Sequence, residues 1–486
     1  MTPARRDAAL TPVLVFTTMV AAVISSLGAP LLPSIASSLR VPLSTAQWAL
    51  TVALLAGAVS APIMGRLGDG PRRRETMVAG LVAVTLGGVI AALAHSLPLL
   101  VVGRALQGIG LGMVPLTMAA ARDHLPRDRV HGTIALLSIC TAAGVGIGYP
   151  VSGLIADSFG LSADYWFGAV VSGVALLCVV VVVPTSTTRT AEPLDLPGVA
   201  LLTAGLVALL LAIAQGSSWG WTSITVLGLI GGAAVALTAW VFQELRADTP
   251  LVELRLLRHP AVLTGDSCAI VLGVAMYMYT SAVTEFVQAP RSTGYGFSAS
   301  VVVAGLCLVP LSATSLLISR ALPWFTEQFG VRPLLPLGSL AVAAAGTFFA
   351  LFHTSLWQAL VMMGVVGVGI GSTSAAIPGL IVGAVPDRET GSAMGFYQVV
   401  RYIGFSLGSG LTASVLAGRT PAGRPLPTEG GYTLVMWIAT VVCVAAAAVA
   451  WFLPARGASR PSPVELAAEQ GDAELGPAGY AELTRD

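Results

Sequence analysis

Four ionisable side chains stand inside long apolar runs of this chain: Arg104, Arg401, Asp266 and Glu285. A charge in such a run is costly and persists where it has a partner, a water-filled cavity or a task. The chemistry open to these groups is proton carriage and charge recognition. Arg104 occurs in VVGRALQGIGLG with Gln107, Gly108 and Gly110, and Arg104 and Gly108 lie one helical turn apart on one face. An arginine there either holds a nearby carboxylate ionised and responds to its protonation, or snorkels to a close surface. Arg401 occurs with Gln398 in YQVVRYIGFSLGSG. It lies about ten residues, or ~15 Å, from the nearer end of its run. It is the most deeply placed charge in the chain and must face a cavity or a partner. Asp266 and Glu285 share one run but stand ~28 Å apart along a helix axis, so they cannot pair with each other. Each is either a proton carrier or a solvated helix-end charge.

Two further patterns bear on movement. In GRLGDGPRRR, a short glycine-bearing turn between apolar runs holds Gly65, Asp69, Gly70 and a basic cluster, Arg72, Arg73 and Arg74. Asp69 can bond an exposed helix N-terminus or an arginine on a neighbouring helix and so latch one conformation; the bare alternative is a basic loop that only sets topology. In GVGIGYPVSG, Gly144, Gly148 and Ser152 form a small-residue stripe that lets helices approach closely. Pro150 removes a backbone bond and bends the helix, and Gly153 follows it. A bent, close-packed helix suits either an opening interface or static packing. The sequence has no HExxH, GxSxG or Walker loop, so no enzyme is indicated and ATP cannot power work on this chain. Cys140, Cys178, Cys268, Cys307 and Cys443 all sit in apolar runs without CxxC spacing and read as small wall-packing residues. The Gly367, Gly369 and Gly371 run reads as helix packing.

The elements that must position these groups are membrane-spanning helices. Charged residues make up 10% of 486, mean hydropathy is +0.84 and net charge is +1; a soluble domain averages about 25% charged residues. No basic stripe suits nucleic acid. With about 20 apolar residues per crossing, spans fall near 12–35, 46–64, 76–94, 98–120, 134–156, 164–184, 197–215, 222–242, 261–285, 298–318, 333–352, 356–384, 391–417 and 432–454. The first is too long for a signal core and reads as a retained helix. All 25 basic residues are arginine. With both termini in the cytoplasm, 19 of them lie inside and four, Arg40, Arg291, Arg419 and Arg424, outside. That asymmetry is the positive-inside pattern and supports an even helix count. Trp219 and Trp221 fit an interfacial aromatic belt. The tail 455–486, rich in Pro, Gly, Ala and Glu, reads as disordered and cytoplasmic.

Taken together, GRLGDGPRRR, RALQGIG, GVGIGYPVSG, the WGW loop and the stretch from Gln288 through Gly294, Tyr295 and Gly296 to Pro310 resemble the major facilitator superfamily, within it the fourteen-helix drug:proton antiporters. The resemblance covers about 12–454. It implies an all-α polytopic membrane protein of six plus two plus six helices: bundles 1–185 and 260–454 flanking a linker with an extra helix pair, 186–259. It implies export of a drug or self-made natural product by alternating access, without a cofactor, driven by the proton gradient across the cell membrane, with the chain a monomer in the bilayer. In that reading Asp69 and Gly65 latch; Gly144, Gly148, Pro150 and Gly153 form the hinge. Arg104, with Asp266 or Glu285, couples protons, and Arg401, Gln398 and Gln107 line the substrate cavity. Two intramembrane arginines favour an anionic or zwitterionic substrate. A proton-coupled nutrient symporter is the alternative, against which the exporter-type GVGIGYPVSG argues. Three departures stand out: Gly70 replaces the usual arginine after the acid, Tyr149 replaces the glycine before Pro150, and the stretch from Ile24 to Pro30 lacks the first-span aspartate common in the family, so the proton site must move.

Overall fold

Long apolar runs leave the backbone one economical solution, a helix that satisfies its own N–H and C=O groups, and the chain adopts it throughout. The structure, a computed structural model, describes residues 3–27, 32–41, 43–46, 48–185, 194–329, 333–386, 389–421 and 426–452. Among these there is no strand. We number the long helices by span: α1 Pro3–Ser26, α2 Trp48–Asp69, α3 Arg73–Ala92, α4 Leu97–His124, α5 Arg127–Phe159, α6 Leu161–Val182, α7 Leu196–Trp219 and α8 Ile224–Arg246. There follow α9 Pro260–Gln288, α10 Val309–Phe329, α11 Leu334–Leu351, α12 Leu356–Ala384, α13 Thr390–Gly418 and α14 Glu429–Phe452.

Eleven described helices are long and apolar enough to cross a membrane, twelve with the bent α5. The shorter apolar helices Ala9–Ser25 and Val302–Ile318 occupy the first and tenth expected positions, so every expected segment has its helix. Large apolar side chains face outward, among them Val170 (62% exposed), Leu177 (66%) and Val235 (72%), as a lipid-facing wall requires.

Two details differ from the expectation, in the first and fourth spans, and the bend expected in the fifth is present. The first span ends at Ser26, and a separate short helix, Leu32–Leu39, follows. α4 is interrupted by a 3-10 turn, Ile109–Gly112, where the glycines of QGIGLG let it press on α2: a methyl at Gly108 would overlap the Ala53 carbonyl. α5 bends by 40° between Thr141 and Gly146, just before the turn 146–150 from which Pro150 removes a backbone bond. The tail 455–486, together with Gly28, Ala29, Pro30, Arg189, Arg332, Arg388 and Arg424, lies outside the described residues.

Helices α1 to α6 pack on one another, as do α9 to α14. The two sets meet along α2 with α13 and along α5 with α10 and α12. α7 pairs with α8 and touches both α2 and α13. Local signals set several ends. Ser223 accepts from the Val226 N–H, Ser355 and Gln358 form a capping box, and Gly160, at φ +86°, makes the sharp α5–α6 turn. The five cysteines are free.

Candidate functional site

At the end of α2 the Asp69 carboxylate accepts from the backbone N–H of Gly391 (2.6 Å) and of Ser392 (2.7 Å). These are the first amides of α13, unpaired within their own helix and at the positive end of its dipole. Of the two partners open to Asp69, the helix N-terminus is bonded directly, and the Arg73 charge at the start of α3 is also within electrostatic reach. One turn back, a methyl at Gly65 would overlap the Gly391 carbonyl, and Gly395 lies equally close to Ala61 and Pro62. Only glycine allows the two backbones this approach. Around the bond, Arg66 pairs with Glu389 at 3.2 Å. Arg122 donates to the Val382 and Val385 carbonyls and to the Thr390 hydroxyl, at 2.8, 3.1 and 2.6 Å. Arg73 binds Asp123 at 2.6 Å and the Gly68 carbonyl. Arg122 and Glu389 were invisible as partners in the sequence, since 260 residues or more separate each from its contact.

Toward the other end of the same bundle, Arg104 is wholly buried, which removes the snorkelling reading. Its Nε donates to the Ala49 carbonyl of α2 (3.2 Å) and its Nη1 to the Ile24 carbonyl of α1 (3.3 Å) and to Gln107 Oε1 (2.9 Å). Gln107 therefore serves Arg104. Asp164 and Tyr165 of α6, both buried, lie within electrostatic reach of the guanidinium. Asp164 accepts from the Ser152 hydroxyl of α5 at 2.8 Å. Sequence reasoning missed Asp164; the only signal available was an acid in the first turn of a span.

Two members of the α5 stripe face their own bundle: a methyl at Gly144 would press on Ala22 and Met19 of α1, and Ser152 reaches α6. The opposite face meets the second bundle. Gly146 abuts Ser312 and Leu308, Pro150 abuts Gly305, and Gly153 abuts Val302. The interface is thus lined by Gly146, Pro150 and Gly153, while Gly144, with Ser152, backs it.

On α13, Arg401 is half-buried, its guanidinium carbon 5.6 Å from the ring centroids of both Tyr397 and Phe405. The Phe405 ring is 6.3 Å from Tyr277 of α9. Gln398 is fully buried, and neither amide atom has a hydrogen-bond partner among the described residues. Asp266 is buried and its Oδ1 likewise lacks a described partner. Glu285 is exposed, with the Ser281 hydroxyl at 3.2 Å. The structure does not bring Asp266 and Glu285 together, nor either of them to Arg104. Trp219 packs at 6.4 Å from Trp48, and Trp221 donates to Ser414 at 2.9 Å, so the belt residues also brace the bundle. An apolar cavity of about 160 Å³, lined by Ile318, Phe325 and Val368, lies away from these groups.

Two helical bundles meet on glycine-lined helices, joined at one end through the Asp69 carboxylate, with buried charges inside the spans. The sequence profile of the Major Facilitator Superfamily matches residues 14–409 and again 324–483. The chain belongs to that superfamily. It is 27% identical to the multidrug resistance protein Stp of Mycobacterium tuberculosis, over 79% of this chain and 71% of that protein. It is 26% identical to the tetracenomycin C resistance and export protein of Streptomyces glaucescens, over 80% of this chain and 72% of that protein. The human organic anion transporter MFSD10 superposes with a TM-score of 0.65, at 15% identity, over 93% of this chain and 100% of that one.

Proposed function

We propose that this chain exports a drug or self-made natural product across the cell membrane, in exchange for protons, by rocking bundles 1–185 and 260–454 about the interface while 186–259 carries the extra pair. The observation that carries the reading is the Asp69 carboxylate on the Gly391 and Ser392 amides: a bond across the two bundles that holds one end shut and breaks as a unit when that end opens. With the termini and the arginine-rich loops in the cytoplasm, the shut end is the cytoplasmic one. The names of the relatives, resistance and export proteins, favour outward transport of small organic molecules. Arg401 between two aromatic rings, beside the unpaired Gln398 amide, suits a planar anionic or zwitterionic substrate.

The test uses everted vesicles from cells expressing the chain, challenged with an acid-interior pH jump and a panel of dyes and aromatic antibiotics. Uptake driven by the proton gradient supports export; flow in the opposite sense marks a nutrient symporter. Arg401→Ala then addresses the substrate: unchanged uptake of an acidic panel member removes the anion reading, whereas a tenfold or greater loss supports it.

A further inference from the structure

We propose that the loop between α7 and α8 is a strap across the two bundles at the end opposite Asp69. Trp219 grips α2, Trp221 grips α13, and opening at that end must break one of the two holds. This rests on the rocking of the bundles proposed above.

The argument begins with the run Trp219-Gly220-Trp221. Gly220 has φ +85°, a backbone that residues with a Cβ rarely adopt, and it lets the indoles on either side of it reach different helices. Trp219, the last residue of α7, packs on Trp48, the first residue of α2, with ring centroids 6.4 Å apart. Trp221 folds back over Gly216, where a methyl would strike its ring, and donates its Nε1–H to the Ser414 hydroxyl of α13 at 2.9 Å. Ser414 can accept because its own proton goes to the Gly410 carbonyl, at 2.7 Å. The last turn of α7 is pinned as well, since the Ser218 hydroxyl donates to Gln215 Oε1 at 2.7 Å.

The strap sits where it can resist opening. α2 begins at Trp48 and ends at Asp69, ~30 Å away along the axis. Ser414 stands ~35 Å along α13 from Gly391. The same two helices are therefore joined at both ends, directly through Asp69 at one and through the strap at the other. Between these ends α7 lies against both. Leu210 packs with Ala58 and Ala61 of α2 and with Tyr402 of α13, and Ile213 lies against Gly410. Ala49, next to Trp48, gives its carbonyl to Arg104, which fixes this end of α2 inside its own bundle. A tryptophan that only anchors a protein at the membrane surface needs no protein partner; each of these has one, on a different bundle.

The test is hydrogen exchange on the full chain in lipid nanodiscs, followed at both ends of the same helices: residues 50–57 and 407–416 at the strap, Gly391 and Ser392 at Asp69. Trp221→Phe keeps an aromatic ring and removes the donor; Ser414→Ala removes the acceptor. Each should raise exchange at the strap end about two- to tenfold, the worth of one hydrogen bond, and leave Gly391 and Ser392 no faster than wild type. The two together should do no more than either alone, because they remove one bond. Trp219→Ala, which releases the other hold, should also speed the strap end. Ile224→Ala, on α8 beside the loop but 89% exposed, should change neither end. The proposal is overturned if either Trp221→Phe or Ser414→Ala leaves the strap end at the wild-type rate, which would make Trp221 a surface anchor. It is also overturned if they speed both ends equally, which would mark general loosening. Asp69→Asn in the same experiment addresses the rocking reading separately: unchanged exchange at Gly391 and Ser392 would defeat that reading and leave the strap-end results standing.

Discussion

Asp69 sits where a carboxylate does most for a helix it does not belong to. Two charge-assisted bonds to the free amides of α13 are each stronger than a neutral pair. Asp69→Asn keeps the shape, but its amide nitrogen confronts one of those N–H groups. The expected cost is about 1.5–3 kcal/mol, a ten- to hundredfold rise in opening at this end. Hydrogen exchange at Gly391 and Ser392 measures it; protection equal to wild type would show that the latch bond carries no weight. That Asp69 would meet a helix end was legible in GRLGDGPRRR, because a short glycine turn must present its acid near helix ends. So was the need of Arg104 for company, because a charge in an apolar run has few fates. Asp164 was not legible. It stands in the first turn of its span, where an acid usually meets water. What makes it different is tertiary: α5 and α4 closing over it with Ser152 and Arg104.

Helices follow the same division between what a run of residues dictates and what packing adds. The existence of each span was readable from apolar length, and the outward face of α5 was not. Gly144, Gly148 and Ser152 recur every fourth residue and form the more regular stripe, yet Gly146 and Gly153, outside it, meet the second bundle. A stripe of small residues records that a helix is approached closely, not by which neighbour. The α2–α13 contact gives this a measurable form. At Gly65 an added methyl meets backbone on the partner helix, which cannot swing aside as a side-chain tip can. Gly65→Ala should therefore separate the two helices and cost about 1–3 kcal/mol, read as lower thermal stability in detergent and faster exchange over residues 389–395. Gly153→Ala is the control, since its nearest atoms, on Val302, begin at an ordinary 3.5 Å. Its expected effect is within about 0.5 kcal/mol. Equal losses at both positions would mean that backbone approach is not what holds this end shut.

At the scale of the whole molecule, a chain of contacts joins α8 to the α13 amides that hold Asp69. Glu244 of α8 is almost fully buried, accepting from Trp240 Nε1 (2.7 Å) and from the backbone N–H of Val252 (3.2 Å) in the connection to α9. The neighbouring Leu251 carbonyl accepts from the Ser392 hydroxyl (2.7 Å), and the Ser392 N–H is one of the two that hold Asp69. Trp240 stacks on Phe396 of α13 at 6.3 Å, and Leu251 and Val252 fill the space between. A chain of contacts thus runs from α8 through the connecting segment to the α13 N-terminus and across to α2, although α8 is otherwise scarcely buried. Glu244→Ala would strand the Val252 and Trp240 donors, at about 1–3 kcal/mol each, and loosen the segment that positions Ser392. Exchange at Gly391 and Ser392 should rise even though Glu244 touches neither. Combined with Asp69→Asn, the two changes should be non-additive by about 0.5–3 kcal/mol, because they damage one connected network. The control is Glu253→Ala, which among the described residues makes a loose 3.9 Å ion pair with an exposed Arg255; it should leave exchange at Gly391 and Ser392 as it is. Strict additivity of Glu244→Ala with Asp69→Asn would cut the chain at Ser392 and make the extra pair a bystander to gating.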